Sequence, residues 1–233
     1  MFRLSRRLGV VLALLAPLAP TPAAMAQDWA AVGAEAWREI LKQKPPSADG
    51  FLNHETGLVA LKLLEKAEVD AADWQLGILE DKEPNAFGLP GGRLAVSAGT
   101  FQLLENQDQL AMIIAHELVH YMLHHVEARV QREAAGEAPA ANREVGVMAR
   151  LHLEQQVPYT PEEEAAADTY ALELLAKSGF DPREAWALLD HFGEVEDVLL
   201  YAKVHPHPAA RAKVVEGMVP GLMLVFRAAV RGQ

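Results

Sequence analysis

"HELVHYMLHH", His116 to His125, gathers four of the chain's nine histidines and a glutamate into ten residues. Around it, apolar residues recur with helical period from about Asn106, and that period predicts one helix continuing to about Ala134. Positions i and i+4 share a helix face, so His116 and His120 can turn two imidazole nitrogens toward one metal ion. Glu117, one step round, is then placed to act as base for an attacking water. His120 and His124 form a second such pair, but that register puts Tyr121 where the base should stand, and a phenol is a poor base at neutral pH. His124 also lies ~12 Å along the axis from His116, so the three cannot share an ion. The pair is therefore His116 and His120, leaving His124 and His125 to positions behind them or at the surface.

A catalytic zinc usually takes three protein ligands and keeps a position open. The extended motif with a third histidine would need glycine and histidine where Leu123 and Val126 stand, so the third ligand comes from elsewhere. "YTPEEEAAADTYALELL", from Tyr159, offers it: Glu164 and Asp168 are i, i+4 and head a stripe continued by Ala171, Leu172 and Leu175. Two acids at the top of an inward-facing apolar stripe require a cation or strong donors. Glu164 can ligate, and Asp168 can accept the free ring N–H of a ligating histidine. Glu162 and Glu163 read as first-turn acids stabilised by the helix dipole.

Working outward, helices are expected over Asp28 to Lys44, about Glu55 to Ala67, a stretch ending near Gln156, Glu162 to Lys177 closed by Gly179, and from Pro182 to about Phe192. "WQLGILED", from Trp74, and "GGRLAVSAG", from Gly91, read as strands, with "EPNAFGLPGG" as a loop between them. The tail from about 214 to 233 is apolar but interrupted by Pro220 and Gly221, and packing on the core is its expected role. Mostly helices with a small sheet make an α+β fold.

The first 26 residues carry Arg3, Arg6 and Arg7, an apolar run from Leu8 to Leu18, and "AMA" ending at Ala26. This is a signal-peptide layout with cleavage expected after Ala26, by Sec or twin-arginine export. The run is too short and too proline-broken to span a bilayer, so no transmembrane segment is expected in the mature chain. Removing three arginines and no acid takes the net charge from −11 to −14, which speaks against nucleic acid as a partner. With no cysteine, disulfides, thiolate zinc sites and a cysteine nucleophile are excluded.

These residues resemble the zinc metallopeptidases that include the HtpX heat-shock protease, the CAAX prenyl protease and the periplasmic BepA protease. The resemblance rests on "NAFGLPGG" at Asn85, "AHELVH" at Ala115, the Tyr159 to Asp168 segment and "HPHPAAR" at His205, in the family's order. It implies a zincin-like domain of the gluzincin type spanning 27–233, with one zinc on His116, His120 and Glu164, Glu117 as base, and Asp168 and Arg211 in support. His205 would stabilise an oxyanion or approach the zinc itself. The strand after Pro90 would be a sheet edge to which an extended peptide adds, with Asn85, Gly91, Gly92, Leu94 and Val96 as its contacts. Departures at Thr160, Pro161 and Ala166 replace no ligand.

The function expected is a zinc endopeptidase cutting unfolded or misassembled proteins of the periplasm or envelope, where transient partners would be met. The alternative is a metal-containing chaperone or binding protein of the same fold with little turnover.

Overall fold

The computed structural model describes residues 28–133, 135, 157–194 and 203–232. The expected signal segment, the helix ending near Gln156, and His152 lie outside these residues. The α-helices bounded within them are α1 (Trp29–Gln43), α2 (Gly50–Lys66), α3 (Gln107–Met122), α4 (His125–Arg132), α5 (Pro161–Ser178), α6 (Pro182–Glu194) and α7 (Pro208–Arg231). Three strands, β1 (Gln75–Leu79), β2 (Ala86–Leu89) and β3 (Arg93–Ser97), form one mixed sheet, so the α+β expectation holds.

Local chemistry sets the helix ends. Asp28 accepts from the backbone of Ala31, and Asp49 from Phe51 and Leu52, which starts α2 five residues before the expected Glu55. Thr160 and Glu163 form a capping box on α5, and Gly179, at φ 78°, ends it. The long helix expected from Asn106 to Ala134 is two helices. His124 adopts the left-handed conformation (φ 58°, ψ 24°), ending α3 and redirecting the chain into α4. Conversely, α7 runs unbroken through Pro220. Pro220 and Glu216 are both exposed, so water can solvate the carbonyl that the missing N–H would have served.

The sheet order is β1-β3-β2, with β1 parallel and β2 antiparallel to β3. Two expectations are corrected by this. "AFGL", Ala86 to Leu89, is a strand rather than loop, and β3, after Pro90-Gly91-Gly92, is the central strand rather than an edge. Pairing on both sides leaves Leu94 and Val96 wholly buried and unavailable to a peptide. Asn85 spends its N–H on Ser97 and Thr100 and its carbonyl on Thr100. Gly91 and Gly92, at φ 75° and 73°, form the hairpin turn, where a side chain at Gly91 would meet Ala30 of α1 and one at Gly92 the carbonyl of Asp73.

Pleating sends alternate residues of β3 to different cores. Leu94 and Val96 share a core with α2, α3, α5, α6 and α7, which contribute among others Leu63, Leu118, Leu172, Leu188 and Val215. Ala95 faces the other way, toward Trp37 and Ile40 of α1. α3 thereby sits against both the sheet and α5, and its residues from Gln109 to His120 are all buried.

Candidate metal centre

Within that buried stretch, His116, Glu117 and His120 are each at most 1% exposed. α5 adds Glu164 and Asp168 at 2% and 4%, the segment leading into α7 adds His205, and the first turn of α7 adds Arg211. One ligand atom from each of His116, His120, Glu164 and His205 lies within 4.8 Å of the others.

Nε2 of His116 is 3.0 Å from Nε2 of His120, 3.2 Å from Nδ1 of His205 and 3.5 Å from Oε2 of Glu164. Oε1 of Glu164 is 3.5 Å from Nε2 of His120 and 3.0 Å from Nδ1 of His205. A ring nitrogen holds at most one proton, so hydrogen bonding alone does not account for three nitrogens converging in this way. Four donors arranged tetrahedrally about zinc at its usual bond lengths stand about 3.3 Å apart, and these separations bracket that value. The cluster can coordinate one zinc ion.

Glu117 stands beside the four. Its Oε2 accepts from the backbone N–H of Gly88 in β2 at 3.0 Å, and its Oε1 lies 3.1 Å from Nε2 of His205. Burial opposes its ionisation, but His205, His120 and His116 hold the carboxyl down at about 2. For Glu164, burial is likewise overcome, and His205, His116 and His120 keep it well below the usual carboxylate range. Burial brings His120 down to about 3, leaving its ring neutral. Burial also favours a neutral His116, but Asp168 and Glu164 outweigh it and raise that ring to about 9.

Arg211 fixes the acid side of the site. Its Nε and Nη2 donate to Asp168 at 2.7 and 2.6 Å, and its Nη1 pairs with Glu164. Asp168 in turn lies 3.1 Å from Nδ1 of His116. Against burial, Arg211 holds Asp168 at about 2. Glu163, read from sequence as a helix-dipole acid, does more: it completes the capping box and grips Arg132 through two contacts of 2.8 and 2.7 Å. Glu162 is exposed.

Three contributors escaped sequence reading. The ring of Tyr159 stacks on His120, with centroids 3.7 Å apart and planes at 20°. The Arg129 guanidinium lies 4.9 Å from the Tyr159 ring. Gly88 meets Glu117 from a segment read as loop. Tyr159 falls within the quoted α5 motif, which was a usable signal, whereas nothing local marks Arg129. His54 and His191 are exposed.

A buried i, i+4 histidine pair, a glutamate ligand from a second helix and an acid beside them define a zinc-metallopeptidase site. The chain belongs to Peptidase family M48, whose model matches residues 53–219. It is 28% identical over 182 residues to the mitochondrial metalloendopeptidase OMA1 of Schizosaccharomyces pombe, covering 72% of this chain and 54% of that one. It is 27% identical over 202 residues to the putative beta-barrel assembly-enhancing protease of Vibrio cholerae, covering 77% and 41%. With the beta-barrel assembly-enhancing protease of Escherichia coli the identity is 23% over 199 residues, covering 75% and 40%. The chain thus spans about half or less of the length of these relatives.

Proposed function

We propose that this chain is a zinc-dependent endopeptidase that hydrolyses unfolded or misassembled proteins of the periplasm or envelope, exported with cleavage after Ala26 as a single metallopeptidase domain. The observation that carries the reading is the buried Glu117 held beside the His116, His120, Glu164 and His205 donors. Bound there, zinc supplies a Lewis acid that polarises a carbonyl and eases ionisation of water. His116, His120 and Glu164 would hold it, with Asp168 and Arg211 fixing His116 and Glu164. Glu117, beside those donors, takes the proton of the attacking water and returns it to the leaving amine. The Gly88 hydrogen bond orients this carboxylate against edge strand β2, beside which an extended peptide can lie. The envelope assignment draws on the signal-like first 26 residues and on the names of the bacterial relatives. Among the described residues no helix is long and apolar enough to cross a membrane.

One observation favours a second reading, a metal-containing chaperone or binding protein with little turnover. His205 takes the fourth donor position and touches the base, an arrangement that closes the site rather than opening it. Casein digestion at neutral pH, with and without a chelator, separates the two. Cleavage that the chelator stops supports the peptidase, and chelator-independent or absent cleavage with zinc bound contradicts it.

A further inference from the structure

The nitrogen of a ligating imidazole that faces away from the ion determines its tautomer and ring orientation. For His116 that nitrogen meets a carboxylate, Asp168. For His120 it meets another imidazole: Nδ1 of His120 lies 3.1 Å from Nδ1 of His125.

A straight helix would not bring these atoms together. Five residues add roughly 7.5 Å of rise and about 500° of rotation, which leaves the two side chains about 140° apart around the axis. The left-handed His124 breaks that course and turns His125 back at the start of α4. One turn further along α4, Arg129 backs Tyr159, whose ring lies flat on His120. α4 therefore reaches the same ligand twice, at its edge directly and at its face through Tyr159.

We propose that His125 is a positioning residue for His120, accepting its Nδ1–H and so fixing the tautomer that presents Nε2 to zinc. The proposal rests on the reading of His120 as a zinc ligand. A neutral ring that ligates through Nε2 carries its proton on Nδ1, so His125 must accept at its own Nδ1 and carry its proton on Nε2. The His124 turn is the device that aims it.

The test measures zinc affinity of the purified full chain by competition with a chromophoric chelator, alongside casein kinetics. His125→Leu, which removes the acceptor, is expected to weaken zinc binding about 10–100-fold and to lower kcat with KM unchanged. His125→Asn, which offers an amide oxygen, is expected to recover most of the affinity. His124→Gly should bind zinc like the unmodified protein, because glycine adopts positive φ freely, while His124→Val should lose affinity as His125→Leu does. Unchanged affinity in His125→Leu, or equal losses in the Leu and Asn variants, overturns the proposal. If His125→Leu does not fold, His125→Ala takes its place, and failure of both to fold makes His125 a residue of the fold and also overturns it. His120→Ala runs as the control: if it retains zinc, the ligand reading itself fails, a result distinct from any of these.

Discussion

Along α3 every residue from Gln109 to His120 is buried, whereas α5 passes from exposed Glu162 through half-buried Glu163 to buried Glu164 within one turn. On α3 the surroundings do not distinguish a ligand from a core residue, and only the spacing of His116, Glu117 and His120 does. On α5 the spacing leaves three adjacent acids in contention, and the environment selects among them. A motif is thus read by period where burial is uniform and by burial where period is ambiguous.

The three glutamates give the sharpest ways to break this contrast. Glu164→Ala removes a donor from the cluster and leaves Arg211 without one of its acids, so bound zinc should fall from one per chain to none and the melting temperature should drop. Metal analysis and thermal unfolding check this. Arg211→Met leaves Asp168 and Glu164 buried without their guanidinium and should cost roughly 3–5 kcal/mol in urea unfolding. Glu163→Ala loses the side-chain half of the capping box and the Arg132 pair, both largely shielded from solvent, and should cost roughly 1–2 kcal/mol with zinc retained. Glu162→Ala should stay within about 0.5 kcal/mol of the unmodified protein. A Glu162 variant that loses zinc, or a Glu164 variant that keeps it, would reverse the reading of α5.

The same contrast explains what the sequence made legible. α1 and α6 carry a clear period, and the starts expected at Glu162 and Pro182 and the stop at Gly179 fall within a residue of those in the structure. β2 was hidden because four residues between prolines and glycines show no alternation, and its pairing with β3 is what makes it a strand. With β2 unread, β3 looked like an edge. The break at His124 was unreadable because no glycine marks the left-handed residue. The Arg129–Tyr159–His120 stack joins segments distant in sequence and has no local signature. Continuity of α7 through Pro220 depended on exposure, which sequence does not report.

If one zinc is held by this cluster while Glu117 handles the proton of the reaction, the two roles separate in a single substitution. Glu117→Gln keeps the size of the side chain and removes its basicity, leaving His116, His120, Glu164 and His205 in place. Zinc content and casein hydrolysis should be measured side by side for the unmodified chain and this variant. One zinc per chain is expected in both, with hydrolysis abolished in the variant. Retained hydrolysis, or loss of zinc together with activity, would contradict it.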